Sequence, residues 1–146
     1  MQKHAPTLLA ESDADDIELL RRAFEKARIT NPVIVVKDGQ EAIDYLAHRG
    51  NYQDRHKYPS PCLMLLDLKM PRVDGTEVLT WWKDHNHHSN LPIIVLTSSA
   101  NPSKIEELMR LGATDYRSKP HDFDGLIAMA QELRFGWIEK GVRKAA

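Results

Sequence analysis

The sequence predicts an α/β fold: a doubly wound, five-stranded parallel sheet carrying five helices. Four short runs of aliphatic or β-branched residues recur along the chain, and a fifth, more polar one follows at Thr114 to Ser118. Between them lie segments with apolar residues at three- and four-residue steps, the period of a helix with one buried face. Most of the strand runs are apolar throughout rather than alternating, as in strands covered on both faces. Strands alternating with crossover helices give a parallel sheet sandwiched by those helices.

The first strand is Thr7-Leu8-Leu9-Ala10, stopping at Glu11. From Asp13 onward Ile17, Leu20, Phe24 and Ala27 share one helix face. Asp13, Asp15 and Asp16 crowd the front of that helix, where carboxylates suit unpaired amides and the positive dipole end. Val33-Ile34-Val35-Val36 is the second strand, punctuated by Asp38-Gly39, and Ala42, Ile43, Leu46 and Ala47 begin the second helix. Gly50 to Pro61, polar but for two tyrosines and two prolines, reads as a long surface loop. Leu63-Met64-Leu65-Leu66 is the third strand, ending at Asp67. After Pro71 and Asp74-Gly75, Val78, Leu79 and Trp82 mark a third helix. Ile93-Ile94-Val95-Leu96 is the fourth strand, ending at Thr97-Ser98-Ser99. Asn101-Pro102 reads as a cap and first turn; Ile105, Leu108 and Met109 give that helix its stripe, and Gly112 ends it. Thr114 to Ser118 is a short fifth strand, followed by Lys119-Pro120. The last helix places Phe123, Leu126, Ile127, Ala130, Leu133 and Trp137 on one face.

For five such strands the expected order is the flavodoxin-like 2-1-3-4-5. Ligands in such sheets sit beyond the carboxyl ends of the strands, where the order reverses. That rule collects Glu11, Asp13, Asp67, Thr97 and Lys119 on one edge. Carboxylates gathered at one point repel unless a cation or proton joins them. Oxygen ligands without nitrogen or sulfur suit Mg²⁺. A lysine and a hydroxyl beside them suit phosphoryl oxygens, so the combination points to phosphoryl transfer onto a carboxylate.

Composition narrows the remaining classes. The 146 residues form one domain with a substantial core. Twenty Lys+Arg against 21 Asp+Glu leave a net charge of -1, which gives no reason to expect nucleic-acid or membrane-surface binding. A single cysteine, Cys62, excludes an internal disulfide framework and fits a reducing compartment. No apolar run nears the ~20 residues of a membrane helix, and Met1 to Pro6 lacks a signal core. A cytoplasmic location is the expectation.

The sequence resembles response-regulator receiver domains across essentially its whole length. The matching pieces are Leu8-Leu9-Ala10-Glu11-Ser12-Asp13, Leu65 to Pro71 with Asp74-Gly75, Val95-Leu96-Thr97-Ser98, Gly112-Ala113 and Tyr116-Arg117-Ser118-Lys119-Pro120. The resemblance implies that Asp67 accepts a phosphoryl group from a kinase histidine, as part of a two-component phosphorelay. It implies a Mg²⁺ site from Glu11, Asp67 and the Lys69 backbone carbonyl, with Ser12 or Asp13 as the remaining candidate. It implies that Thr97 and Lys119 bind the phosphoryl group, that Tyr116 is the aromatic switch, and that the Lys119-Pro120 bond is cis. The family's second acidic position is occupied here by Ser12, a poorer ligand than a carboxylate, so weakened Mg²⁺ affinity is expected. Asp13, one place later, reads as a helix cap.

No output domain is expected within 1–146, so the chain reads as a single, stand-alone receiver, not an enzyme, acting through altered protein contacts. The Asp-Asp-Ile-Glu-Leu-Leu opening of the first helix and the aromatic last helix are similar to stand-alone receivers paired with phytochrome-type histidine kinases. That similarity implies a histidine kinase partner, a phytochrome among the candidates, and homodimers through the last strand and last helix; with Phe135 and Trp137 in the final helix, a homodimer through the fourth helix, fifth strand and fifth helix is expected. Two other readings compete. A degenerate receiver would bind partners without phosphorylation, and Ser12 supports it. A Mg²⁺-dependent hydrolase with an aspartyl-phosphate intermediate would want a second aspartate where Lys69 stands.

Other conspicuous residues have plainer readings. His85, His87 and His88 read as a solvated helix end, and Cys62 as a small buried hydrophobe. Phe135 and Trp137 read as core or interface. Glu132, Arg134, Lys140, Arg143 and Lys144 read as a solvated face.

Overall fold

A computed structural model describes residues 5–85, 90–98 and 101–139. The strands are β1 (Thr7–Ala10), β2 (Val33–Val36), β3 (Leu63–Asp67), β4 (Ile93–Thr97) and β5 (Asp115–Ser118). The helices are α1 (Ala14–Lys26), α2 (Gly39–Ala47), α3 (Gly75–His85), α4 (Pro102–Arg110) and α5 (Phe123–Leu133). All strands pair in parallel, in the order β2-β1-β3-β4-β5. The expected topology is therefore the observed one.

Strand alternation sorts the core into two layers. Leu8, Ala10, Met64, Leu66, Ile93 and Val95 face one side, packing with Ala42, Ile43, Val78, Leu79 and Leu108 of α2, α3 and α4. Leu9, Leu63, Leu65, Ile94 and Leu96 face the other, against Leu20, Phe24, Leu126, Met129 and Leu133 of α1 and α5. Each such buried aliphatic side chain contributes about 1.5–3 kcal/mol. With both faces filled, the strands leave only their ends for chemistry.

The cap residues behave as their chemistry predicts. Asp13, Asp38, Asn101 and Asp122 each accept a hydrogen bond from the backbone N–H three residues on, at 2.7–3.0 Å. Gly112, with φ +108, turns the chain after α4. Four readings need correction. Met109 is 42% exposed, so Leu108 alone anchors α4. The Gly50–Pro61 segment is not simply a surface loop. It holds a 3-10 turn (Gly50–Tyr52), and Tyr58, edge-on, and Tyr52, tilted, pack against the fully buried Tyr45, whose hydroxyl donates to the Pro59 carbonyl at 2.7 Å. Aromatic packing supplies what the polar composition hid. The Lys119-Pro120 peptide is trans, the intrinsically favoured isomer even before proline.

The fourth correction concerns the last helix. α5 runs into a π turn, Arg134–Ile138. Phe135, two residues past the buried Leu133, faces outward at 58% exposure, while Ile138, five residues past it, is buried. Arg134 is not a solvated charge: it donates to the Ala27 carbonyl at 3.0 Å, capping α1, and pairs with Glu139 at 2.8 Å. His87, His88, Ser99, Lys140, Arg143 and Lys144 lie outside the described residues. His85 stacks on Trp81 with ring centroids 5.2 Å apart.

One contact ties α2 to the loop that follows β3. Asp38 caps α2 and also receives two hydrogen bonds from Arg72 at 3.0 Å. Gly39 lies against the Val73 carbonyl so closely that no Cβ fits between them. Helix propensity alone makes Gly39→Ala stabilising by about 1 kcal/mol. The packing reverses that sign: Gly39→Ala should destabilise by about 1–3 kcal/mol. Urea unfolding checks this, and an equal or higher midpoint for Gly39→Ala would contradict it.

Candidate functional site

The site is assembled at the carboxyl edge of β1, β3, β4 and β5. Asp67 is the last residue of β3 and is 6% exposed. Its neighbour across the sheet is Leu96, so the buried Thr97 that ends β4 stands one step beyond. Glu11 follows β1 directly and is 1% exposed. Lys119 follows β5, with its backbone N–H donating to the Thr97 carbonyl at 3.0 Å. These four residues come from four strand ends, and the parallel register brings them together.

Lys119 is the centre of the arrangement. Its ammonium donates to Glu11 Oε1 at 2.7 Å, Asp16 Oδ2 at 3.2 Å and Asp67 Oδ2 at 3.3 Å. Burial disfavours the ammonium, but the Glu11 hydrogen bond and the surrounding carboxylate charge raise its pKa above the ordinary lysine value. It therefore stays charged. Glu11 feels the opposite balance. Burial and the adjacent Asp67 carboxylate push its pKa up to about 7, against the pull of Lys119 and the Asp13 amide. Its Oε2 accepts from the backbone N–H groups of Ser12 (3.0 Å) and Asp13 (3.2 Å). These bonds fix the side chain in the loop between β1 and α1.

The β3–α3 loop shapes the other wall. The Lys69 backbone N–H donates to Asp67 Oδ1 at 3.2 Å, while the Lys69 side chain is exposed. Gly75 donates its N–H to the Leu68 carbonyl at 3.0 Å. A Cβ there would press on the Asp67 carbonyl at 2.7 Å. The glycine lets α3 start directly beneath Asp67.

Not every expected residue reaches the centre. Ser12 is exposed. Asp13 is the cap of α1, its carboxylate occupied by the Asp16 N–H. Tyr116 is half-buried against the α2–α3–α4 core layer. Asp16, read from sequence only as favourable to the helix dipole, is the residue that was missed. No local signal marks it: Ser12 lies before the α1 cap, outside the helix, and Asp16 joins the site through its contact with Lys119.

The donors are carboxylate oxygens, with backbone groups beside them. Among the described residues no three His, Cys, Asp or Glu side chains are grouped as a ready metal cluster. Mg²⁺ keeps several waters and needs only one or two carboxylates, so Glu11 and Asp67, with the Lys69 backbone, fit it. The cation those carboxylates already hold, the Lys119 ammonium, shows that the pocket is built for positive charge. No helix among the described residues is long and apolar enough to cross a membrane.

Known proteins share this frame. Response regulator Rcp1 of Synechocystis sp. is 31% identical over 139 residues, covering 95% of this chain and 92% of its own length. The Mn²⁺-bound structure of Rcp1 superposes with a TM-score of 0.80 at 30% identity, over 92% of this chain and 95% of Rcp1. The phosphorylated cyanobacterial phytochrome response regulator RcpA gives 0.84 at 30% identity, over 94% and 96% of the two chains. RPA3017, a response regulator in red light signaling of R. palustris, gives 0.86 at 30% identity, over 92% and 94%. The family model for the response regulator receiver domain matches residues 7–131, which span the sheet and every residue of the site. With sheet order, strand-end residues and sequence in agreement, the chain belongs to the response regulator receiver domain family.

Proposed function

We propose that this receiver is switched by phosphorylation of Asp67, the donor being a phosphohistidine of a histidine kinase. The observation that carries the reading is the buried Asp67 carboxylate held 3.3 Å from the Lys119 ammonium at the open edge of the sheet. A carboxylate oxygen of Asp67 forms the bond to phosphorus as the phosphorus–nitrogen bond breaks, and the electron pair leaves on the imidazole. Bound Mg²⁺ supplies charge neutralisation at the phosphoryl oxygens. Lys119 pairs with the added charge, and the Thr97 hydroxyl donates to it. The charge change biases β4, β5 and their helices toward a second packing that a partner reads. Likeness to RcpA and RPA3017 supports a phytochrome-type kinase as that donor.

The degenerate-receiver reading keeps one observation in its favour, the exposed neutral Ser12 where a metal carboxylate is expected. Incubation with acetyl phosphate and Mg²⁺, followed by intact-mass measurement, separates the two. The switch reading expects a phosphoryl adduct on the wild-type chain and none on Asp67→Asn. No adduct on wild type at saturating Mg²⁺ would leave the degenerate reading standing.

Glu11 adds a pH dependence. Its pKa is raised from 4.5 to about 7 in the folded chain, so the native state holds this proton more tightly than the unfolded one. The corresponding stability is complete below the unfolded value and is lost as pH rises toward about 7. Metal-free protein should therefore lose melting temperature across that window, and Glu11→Gln should flatten the decline. An identical pH profile for Glu11→Gln would show that Glu11 does not titrate this way.

A further inference from the structure

The site is one carboxylate short at position 12, yet three carboxylates surround Lys119. We propose that Asp16, on the first turn of α1, supplies the missing negative charge to a divalent cation bound at Glu11 and Asp67, acting through bridging water. The inference rests on the receiver reading for the location of the cation and goes beyond it in naming the residue.

The geometry favours Asp16 over its neighbours. The Lys119 ammonium marks where positive charge sits in this pocket, and Asp16 Oδ2 lies 3.2 Å from it, slightly nearer than Asp67 at 3.3 Å. Asp16 and Asp67 therefore lie within two hydrogen-bond lengths of each other across one shared cation. The Asp16 side chain is 42% exposed, so water reaches it and can bridge inward. Asp13 is committed to the α1 cap. Asp15 is exposed on the same turn and is not one of the carboxylates around Lys119.

Mg²⁺ suits such an arrangement because it retains much of its hydration shell and accepts carboxylates at second hand. An outer-sphere charge ~6 Å from a divalent ion, in a water-like dielectric with moderate salt, changes affinity by about fivefold. Asp16 would also keep Lys119 within reach of Asp67, and these two roles make different predictions.

Calorimetric titration with Mg²⁺ tests the proposal on the full chain. Asp16→Asn should weaken binding about fivefold, while Asp15→Asn, with the same change in net charge, stays within about twofold of wild type. Ser12→Asp added to Asp16→Asn should restore the loss. In a Lys119→Met background Asp16→Asn should again weaken Mg²⁺ binding, because the charge acts on the ion and not through the lysine. The proposal is overturned if Asp16→Asn binds as Asp15→Asn does, or if its effect vanishes in the Lys119→Met background. Failure of the receiver reading is seen separately, as absence of a phosphoryl adduct on Asp67 in a chain that still binds Mg²⁺.

Discussion

The ammonium of Lys119, shared among Glu11, Asp16 and Asp67, is the interaction on which the site depends. Two of those carboxylates are nearly inaccessible to water. Buried like charges cannot stand together without a counter-charge or a proton. Lys119 supplies the counter-charge, while burial and the adjacent Asp67 carboxylate hold the Glu11 pKa above its ordinary value. One ammonium thus faces three carboxylates at the edge of the sheet. In the proposed function a divalent ion would add positive charge there, and a phosphoryl group on Asp67 would give the lysine a new partner. On the proposed reading, the same imbalance that costs stability in the resting chain makes the site responsive.

The fold pays for this cluster by burying everything else. The three central strands are apolar on both faces, packed against α1 and α5 on one side and α2, α3 and α4 on the other. Polar chemistry is confined to the strand ends. Two close approaches hold the loop between β3 and α3. Gly39 admits the Val73 carbonyl, and Gly75 admits the Asp67 carbonyl. The Asp38–Arg72 pair locks the first of these in place while capping α2. Displacement of Asp67 is therefore resisted from both the core and the loop.

Much of this was legible in the sequence, for identifiable reasons. Continuous apolar runs at Leu63–Leu66 and Ile93–Leu96 report strands buried on both faces, and the alternation with helical periodicity fixes the class. Glu11, Asp67, Thr97 and Lys119 follow from the topology, because each directly ends or follows a strand. Asp13 and Asn101 were readable as caps, since their chemistry is local. The residues that escaped are those whose roles are made by tertiary contact. Asp16 looks like one more acidic residue at a helix start until Lys119, more than a hundred positions later, reaches it. Tyr45 buries itself only because Tyr52 and Tyr58 fold back over it. The π turn that ends with the buried Ile138 leaves the helical pattern of apolar residues almost unchanged, so periodicity alone does not reveal it.

The central claim is that Lys119 is the element that passes charge at Asp67 to the rest of the fold. A crystal structure of the chain with Mg²⁺ and beryllofluoride, a mimic of the phosphoryl group, tests it most directly. The account predicts beryllofluoride on Asp67, with the Lys119 ammonium moved from Asp16 onto a fluoride and Thr97 donating to another. A Lys119 side chain still seated on Glu11 and Asp16 in the beryllofluoride-bound chain would contradict it.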